Sequence, residues 1–476
     1  MHATNGTNGG RVAVIGIDGA VPTLAFERYA DRMPNLTRLR QEGTWGSLRS
    51  IDPPITVPAW SCAMTGLSPG ALGIYGFRNR RDHTYDRLAF STSRAVKSPR
   101  VWERLSEAGR PSVVVGVPGT YPPKPMAGAL VGCFLTPSTA SDYTWPAELK
   151  DEIAAEVGTY VLDVEDFRSE DKDRVLAHVR DMTRTRFQLA RHLVATRDWE
   201  FFMVVEIGAD RLQHAFWAYA HPDHRNYRPD PVLGPAIGDY YAAIDAEIGQ
   251  LLEALGPGVD VFVISDHGAQ HMAGGFCINE WLRREGYLVL EAGGSGVAPG
   301  ETAPPRTPMT LASAGVDWER TTAWADGGYY GRVFLNVAGR EPLGFVPPQR
   351  YEEVRSEIAA GLEAIVDHEG RPMGNRVHRP EDLYPVVRGI APDLIAYFGE
   401  LRWRPVATMG IGLYTFENDT GPDDANHAMD GIFVAAGPRV PLRGEQHGLQ
   451  LMQVGPTILG LYGLEPNEGT EVEAMW

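Results

Sequence analysis

Residues 11–18 read RVAVIGID, an apolar run that ends in an aspartate, Asp18. Similar apolar runs recur at 112–117, 201–208, 259–265, 332–337, 393–398 and 431–437. Continuous β-branched and aromatic runs of this length predict strands that are buried on both faces. The stretches between them, such as 172–196 and 238–255, have apolar residues at helical spacing. This alternation predicts an α/β fold, with a mostly parallel sheet and helices on both faces.

The composition limits the classes of partner. The chain has 476 residues, of which 43 % are hydrophobic, so it can bury a substantial core. Its 61 acidic and 44 basic residues give a formal charge of -17. A surplus of negative charge repels nucleic-acid backbones and anionic membrane surfaces. We therefore expect a small-molecule substrate, with neither nucleic acid nor membrane as a partner.

Cysteine usage and the terminal sequence predict the compartment. The three cysteines, at 62, 133 and 277, have no paired spacing that indicates disulfides or a thiolate metal site. Residues 1–10, MHATNGTNGG, lack the apolar region of a signal peptide, and no later run of 18 apolar residues occurs. We expect a cytoplasmic protein with a disordered tail over residues 1–10.

Two segments interrupt the alternation. Residues 291–310 are rich in Gly, Pro and Ala and have no periodicity, which predicts an exposed loop. Residues 401–426 also look irregular and lead into ENDTGPDDANH over 417–427. No linker clearly divides the chain into independent domains.

Acidic residues and histidines gather at predicted strand ends. Asp18, Asp210 and Asp266 each follow an apolar run; Asp266 is followed by His267. The carboxyl ends of parallel strands share one edge of a sheet, where ligands bind. His214 lies four residues after Asp210, on the same helical face, and His427 precedes the last apolar run. Each aspartate alone is more simply a turn former or a helix cap. Together they predict a two-metal site, whose mixed O/N ligands suit zinc, manganese or iron.

Thr56 stands in PPITVPAW, residues 53–60, where three prolines restrict the backbone. An alcohol that coordinates a divalent ion becomes a stronger nucleophile, so one interpretation makes Thr56 the attacking group. Pro58 also marks a helix start, whose N–H groups would face a bound phosphate. The alternative, about equally favoured by this stretch alone, is that Thr56 only caps that helix.

An ordered set of motifs carries a family resemblance. VIGIDG (14–19), TVPAWSCAMTGLSPGALGIYGF (56–77), DRLQHAFW (210–217), ISDHG (264–268) and HAMDGIFVAAGP (427–438) resemble the bacterial type I phosphodiesterase/nucleotide pyrophosphatase family. That family belongs to the alkaline phosphatase superfamily. The resemblance implies a three-layer sandwich, with the catalytic core at 11–270 and 385–476 and an inserted cap at 271–384.

The resemblance also implies an activity and a set of site residues. Two metal ions, commonly zinc, would be bound by Asp18, Thr56, Asp266 and His267 on one side and by Asp210, His214 and His427 on the other. Thr56 matches the nucleophile, which would form a covalent phospho-threonine intermediate. The substrates would be small phosphodiesters or nucleotides. A phosphomonoesterase, phosphonate hydrolase or phosphomutase of the same superfamily stays open, and a metal-binding homologue without catalysis is less favoured.

Two positions depart from related sequences. Ala59 stands where eukaryotic members have a phosphate-binding asparagine, so backbone N–H groups near Ala59 and Trp60 are expected to replace it. Leu72 stands where relatives often have histidine. Among further substrate contacts, we expect aromatic walls from Tyr75 and Trp217.

Arginines near the motifs bear on the substrate's charge. Arg78, Arg80 and Arg81 are expected to be solvated surface charges. Arg211 follows Asp210 directly, and an outward salt bridge and a partner for the metal ligands both stay open for it. We include Arg211 among the expected substrate contacts.

Overall fold

The computed structural model describes residues 10–291 and 308–476, so most of the predicted tail and of the Gly/Pro-rich stretch lies outside the described residues. Its strands, in chain order, are β1 (Arg11–Ile17), β2 (Thr44–Arg49), β3 (Arg78–Arg80), β4 (Leu88–Phe90), β5 (Ser112–Val115), β6 (Gly128–Val131), β7 (Thr144–Trp145), β8 (Phe201–Glu206), β9 (Val259–Ile264), β10 (Gly268–His271), β11 (Gly274–Cys277), β12 (Ala323–Asp326), β13 (Gly331–Leu335), β14 (Arg376–His378), β15 (Leu394–Tyr397), β16 (Trp403–Val406), β17 (Tyr414–Thr415), β18 (Ala425–Ala428), β19 (Asp430–Ala436), β20 (Gly444–Glu445) and β21 (Leu449–Gln450).

The helices fall largely where apolar residues repeat at helical spacing. They are α1 (Pro34–Glu42), α2 (Thr56–Thr65), α3 (Pro69–Leu72), α4 (Val101–Glu107), α5 (Leu149–Val157), α6 (Lys172–Thr196), α7 (Gly208–Ala220), α8 (Ala236–Leu255), α9 (Ile278–Arg284), α10 (Tyr351–Glu363), α11 (Pro380–Leu383) and α12 (Val454–Leu461). Short 3₁₀ or π turns lie at Leu24–Arg28, Ala30–Arg32, Pro348–Arg350 and Leu451–Gln453. No helix within the described ranges is long and apolar enough to cross a membrane.

A ten-stranded sheet forms the centre of the molecule, in the order β20-β2-β19-β9-β1-β8-β5-β6-β7, with β21 also pairing with β2. Strands β1, β5, β6, β8 and β9 are parallel neighbours, whereas β19 runs antiparallel between β2 and β9. The predicted mostly parallel sheet is thus confirmed. Strands β13 and β15 were expected in it as well, and that part of the prediction is wrong, because both pair in a separate sheet.

Helices cover both faces of this sheet. In β1, Ala13, Ile15 and Ile17 pack into one apolar core with residues of α6, α7 and α8. Val12 and Val14 point to the opposite face and pack with α2, α4 and α12. Alternate residues of one strand therefore enter two different cores, which explains why the run is apolar throughout. The result is the predicted three-layer sandwich.

Outside the three-layer sandwich, the segment between β9 and β18 in sequence forms a region with its own apolar core, which we call the second layer. It contains the four-stranded sheet β12-β13-β15-β14 and the three-stranded sheet β16-β11-β17. Its apolar core runs from Phe276 to Met409. The layer therefore extends past residue 384, the expected limit of the inserted region, because β15 pairs with β13 and β14. Residues 401–426, expected to be irregular, contain β16 and β17 and the start of β18.

The topology brings distant segments to one edge of the central sheet. Strands β1, β8 and β9 end side by side, and helices α2 and α7 begin at the same edge. Strand β18 pairs antiparallel with β10, directly after β9, which places His427 opposite Ala269.

All three cysteines are buried and unpaired, as their spacing predicted.

Candidate metal centre

Two groups of metal-ligating side chains lie at this edge. The first group is Asp18, Asp266 and His267, and the second is Asp210, His214 and His427. In each group, one ligand atom per residue lies within 4.8 Å of the others. The two groups adjoin, because the rings of His267 and His427 stack with their centroids 3.7 Å apart. All six side chains are buried.

The first group has only neutral hydrogen-bond donors around its carboxylates. Trp60 Nε1 donates to Asp18 Oδ2 at 2.8 Å, and the Gly19 amide donates to Asp266 Oδ1 at 3.3 Å. Burial, and after it the charge of Asp210, raises the pKa of Asp18 well above its usual value. Burial and the neighbouring Asp18 raise the pKa of Asp266 likewise. Without a cation, these two carboxylates are therefore costly to ionise together.

The second group lies in a network of ion pairs. Arg211 Nη1 donates to Asp210 Oδ2 at 2.8 Å. Burial alone would raise the pKa of Asp210, but His214 and Arg211 outweigh it and hold this pKa well below its usual value. Burial would lower the pKa of His214, but Asp423 and Asp210 raise it well above normal. The ion pairs with Arg211 and Asp423 thus keep Asp210 and His214 charged and fix the orientation of both side chains.

Each of the three histidines is held through Nδ1. The Nδ1 atoms of His267, His427 and His214 lie 2.9, 2.8 and 2.6 Å from Gly268 O, Pro54 O and Asp423 Oδ1, respectively. All three partners are acceptors, so each Nδ1 carries a proton and each Nε2 is the atom available to a metal, which at His214 would displace the second proton that its raised pKa favours. Burial lowers the pKa of His267 to about 4, which keeps its ring neutral.

Several buried polar atoms of the two groups have no hydrogen-bond partner among the described residues, although two of them, Asp210 Oδ1 and His214 Nε2, lie 3.3 Å apart. They are Asp18 Oδ1, Asp266 Oδ2, Asp210 Oδ1 and His214 Nε2. An unpaired buried carboxylate oxygen is costly, so such a cluster needs a cation to satisfy it. Three carboxylates and three imidazoles with free Nε2 atoms form a donor set suited to divalent transition metals. The residues present therefore fit metal binding.

Thr56 lies against the first group. Its Oγ1 is 3.3 Å from His267 Nε2, and the residue is buried at the first position of α2. The N-cap of that helix is Ile55, and no side chain caps it. The capping alternative for Thr56 is therefore wrong, and its hydroxyl is directed at the candidate metal ligands.

The family comparison agrees with this geometry. The sequence model of the type I phosphodiesterase/nucleotide pyrophosphatase family matches residues 12–423. The chain belongs to this family. It is accordingly a phosphoric-ester hydrolase of a metal-dependent family that acts on small nucleotide and phosphodiester substrates. A search of curated proteins found no match.

Solved structures of similar proteins share the fold. The human ectonucleotide pyrophosphatase/phosphodiesterase 5 is 14 % identical, with 95 % of each chain covered and a TM-score of 0.55. The murine protein of the same name is 15 % identical, with 96 % of each chain covered and a TM-score of 0.54. The architecture is thus common to this chain and to mammalian proteins of low sequence identity.

Four residues around the second group were not predicted from the sequence. Asp423 accepts from His214 and also from Arg168 Nε at 2.7 Å. Arg168 Nη2 donates to the Tyr329 hydroxyl at 2.6 Å, and the Tyr329 ring stacks on His427 with centroids 3.9 Å apart. Asp163 accepts two bonds of 2.8 Å from Arg211. Of these four residues, only Asp423 could have been noticed in the sequence, as the first of two adjacent aspartates shortly before His427.

Arg211 now has a defined structural role. The alternative of an outward salt bridge is wrong, because the side chain is buried and bridges Asp163 and Asp210. It also lines a cavity of about 510 Å³ that reaches Ile55 and Tyr329, next to the candidate metal ligands. A contact between Arg211 and substrate stays a prediction.

The remaining expected substrate contacts lie deeper in the protein. The Ala59 amide already donates to Ile55 O at 2.9 Å, and Trp60 is fully buried against Asp18. Tyr75 is buried and donates to Arg388 O at 2.6 Å. Trp217 is buried and stacks on His221 with centroids 4.3 Å apart. None of these four side chains lines the cavity beside the metal groups, and their contact with substrate stays a prediction.

The arginines after Thr56 are not all solvated. Arg80 is buried, donates to Glu341 Oε1 at 3.1 Å and lies over the Trp324 ring, so the surface prediction is wrong for it. Arg78 is exposed, as expected, but lines the cavity. Arg81 is exposed and lies outside the cavity lining.

Proposed function

We propose that the chain is a phosphodiesterase that uses a dinuclear metal site and Thr56 as a covalent nucleophile. One observation carries the proposal: the Thr56 hydroxyl lies beside two buried ligand groups whose unpaired atoms need cations. The alcohol and the ligands come from α2, α7, β18 and the ends of β1 and β9. These segments have no structural reason to present unpaired polar atoms to one another.

The first group together with Thr56 would hold one ion, and the second group would hold the other. When bound, two Zn²⁺ ions would supply Lewis-acid charge that favours the ionised alcohol and neutralises phosphate oxygens; Mn²⁺ or iron would suit the same donors. Trp60 keeps Asp18 in place, and Asp423 keeps the His214 ring in the orientation that exposes Nε2.

Thr56 acts in two displacements. Its oxygen forms a bond to phosphorus while the bond to the leaving alcohol breaks, and the threonine proton ends on that alcohol. Water then breaks the bond between phosphorus and Thr56 Oγ1 and restores the hydroxyl. Two in-line displacements give retention at phosphorus. The first N–H groups of α2 have no partners within the helix and favour the negative charge of the phosphoryl group.

A diester fits the surroundings of Thr56 better than a monoester. A monoester dianion calls for an additional free cation at the phosphorus itself, and Arg211, which adjoins the second ligand group, is already bonded to Asp163 and Asp210. The adjoining cavity of about 510 Å³ has room for the second substituent of a diester. A phosphonate monoester presents the same charge and shape, so phosphonate hydrolysis is the alternative that this cavity also favours.

The deciding experiment compares bis(p-nitrophenyl) phosphate with p-nitrophenyl phosphate on zinc-loaded protein. We expect kcat/KM for the diester to exceed that for the monoester by about tenfold or more. Thr56→Ala should lower kcat for the diester by roughly 10³-fold or more, since the covalent route is lost. Thr65→Ala, at the other end of α2, is the matched control and should keep activity.

Two further measurements test the intermediate and the metal count separately. Rapid acid quenching followed by peptide mass spectrometry should find phosphate on the peptide that contains Thr56. Metal analysis should find about two ions per chain. A ratio below one for the two esters would favour a monoesterase, and an active Thr56→Ala variant would remove the nucleophile assignment.

A further inference from the structure

The cavity of about 510 Å³ beside the candidate metal centre, hereafter the arginine cavity, is lined by direct neighbours of Thr56 and of the candidate ligands. Ile55 is the chain neighbour of Thr56, Tyr329 stacks on His427, and Arg211 is bonded to Asp210. All three line the cavity. A substituent on a phosphorus atom at Thr56 can therefore extend into it.

The wall of the arginine cavity contains more basic than acidic residues, whereas the whole chain contains more acidic ones. Five arginines line it, at 78, 168, 211, 332 and 404, against two aspartates, Asp326 and Asp419. The complete chain carries a formal charge of -17. Most of these guanidinium groups are balanced by carboxylates, so an arginine donor that is left without a partner is the feature that can attract a small anion here.

Some of these arginines form close ion pairs with carboxylates, whereas others have N–H donors without a close carboxylate partner. Arg168 is bonded to Asp423, Arg211 to Asp163 and Asp210, and Arg332 to Asp326. Arg78 forms no ion pair within the described ranges, and its guanidinium lies 4.9 Å from the Phe90 ring centroid.

Arg404 is the second open donor. Its Nε is buried without a hydrogen-bond partner, and its Nη atoms make only long contacts of 3.5 Å to Asp423 and 3.6 Å to Asp419. The side chain is only 10 % exposed, and no acceptor among the described residues pairs with this N–H. A buried, unpaired guanidinium N–H in a cavity wall calls for an anionic acceptor.

The rest of the wall is aromatic. Phe77, Phe90, Phe134, Phe167 and Tyr330 line the cavity together with the arginines. Such a wall suits an organic body, whereas guanidinium groups match the planar geometry of carboxylates and phosphates. The occupant that satisfies both is an organic group with an anionic end.

We propose that the arginine cavity binds a second anionic group, carried by the substituent that the phosphodiester keeps beside its reacting phosphorus. The substrate class is thus a phosphodiester with a further carboxylate or phosphate on that substituent, which Arg78 and Arg404 bind. This inference rests on the proposed phosphodiesterase function and narrows its substrate class.

Two esters with the same leaving group test the inference. They are p-nitrophenyl phenyl phosphate and its analogue with a 4-carboxyl group on the phenyl ring, so that the two differ only in the remote charge. One charge-assisted hydrogen bond predicts that the carboxylated ester has a kcat/KM about tenfold higher or more on zinc-loaded protein. The preference should fall toward one in Arg78→Gln and in Arg404→Gln. Arg81→Gln, which removes a charge close by but outside the cavity, should keep the preference.

Binding gives a readout that does not depend on turnover. Calorimetry on zinc-loaded Thr56→Ala protein should show 4-carboxyphenyl phosphate binding about tenfold more tightly than phenyl phosphate, with the difference lost when Arg78→Gln is added. Equal kcat/KM values for two esters that are both hydrolysed would overturn the inference and leave the proposed function intact. So would a preference that both arginine variants retain. If neither ester is hydrolysed, the proposed function fails, and the calorimetric difference alone decides the arginine cavity.

Discussion

The two groups of metal-ligating side chains use the same residue types in opposite electrostatic surroundings. Asp18 and Asp266 of the first group are approached only by neutral donors, and burial raises both pKa values. Asp210 of the second group is bonded to Arg211, which holds its pKa low together with His214. A directly bonded arginine thus stabilises the charge of Asp210 in the second group, whereas burial dominates for the carboxylates of the first group.

This difference separates two ways of building a metal site. The second group is organised by Arg211 and Asp423 before any ion arrives, so these partners determine its affinity. The first group consists of buried carboxylates that become favourable when a cation is bound, so its stability depends on the ion itself. Substitutions in the two groups should therefore differ in their effects, and in the following order of size.

The largest effect is expected from Asp266→Asn, which removes one of the two carboxylates of the first group. The variant should bind about one metal ion per chain in place of two and lose roughly 10³-fold or more in kcat, because Thr56 is no longer activated. Metal analysis and the diester assay measure both. Asp260→Asn, at the other end of β9 and bonded to Arg439, is the matched control. Two bound ions and near-normal turnover in Asp266→Asn would contradict the assignment of the first group.

Asp423→Asn should have an intermediate effect on the second group. The loss of the carboxylate on His214 Nδ1 is expected to weaken one ion by about 10–100-fold, while high zinc restores activity. Titration of metal-free protein with zinc measures this affinity. Asp424→Asn is the control, since Asp424 accepts from the Ala218 amide at 3.1 Å and lies next to Asp423. Equal zinc affinities for the two variants would remove the distinction between the groups.

Trp60→Phe should have a smaller effect, on the first group alone. It removes the 2.8 Å hydrogen bond to Asp18, which is expected to lower kcat/KM by about tenfold or less. Trp102→Phe is the matched control, because Trp102 is a buried tryptophan in the same core without a contact to the ligands. A similar loss of activity in both variants would indicate that core packing, and not the bond to Asp18, is responsible.

The smallest expected effect is on the pH dependence of the free energy of unfolding of the metal-free protein. Burial and Asp18 raise the pKa of Asp266 above 3.8, so the folded state binds protons that the unfolded state has released. The free energy of unfolding should therefore fall as the pH rises from about 4 towards this raised pKa. Asp423 contributes with the opposite sign, because His214 and Arg168 lower its pKa against the effect of burial. Its contribution is lost as the pH falls below about 4.

Urea unfolding of metal-free protein between pH 5 and 8 measures this contribution. The decline in stability with rising pH should be smaller in Asp266→Asn than in the unsubstituted protein. Asp260→Asn again serves as the control. A decline of the same size in all three proteins would show that the first group carries no such penalty.

The strands, their common edge and the two groups of candidate metal ligands could be predicted because each depends on local sequence. An apolar run followed by an aspartate shows both a buried strand and its chemically active end, as in β1 and β9. Sheet membership could not be predicted in the same way. The runs of β13 and β15 look like those of β1 in composition, and only long-range pairing places them in another sheet.

The supporting residues were missed for a related reason. Asp423 and Tyr329 lie in segments without periodicity, and their roles arise from contacts across the fold, to His214 and His427. Arg80 was expected at the surface because arginine usually is, but Glu341 from the second layer pairs with it in the interior. Such partners are more than 90 residues away in sequence, where no local pattern reports them.

The position of β19 has a consequence for biosynthesis. Strand β2 leads into α2 and Thr56, yet its strand partners among the described residues are β19, β20 and β21, all near the end of the chain. During translation, β2 cannot take its place in the sheet until β19 has been synthesised and has paired between β2 and β9. His427 is synthesised just before β19. Long-range pairing of this kind is slow to form. Thr56, the proposed nucleophile, is thus translated long before the strand that fixes β2 in the sheet, so the candidate site cannot be complete before residues 427–436 have been synthesised.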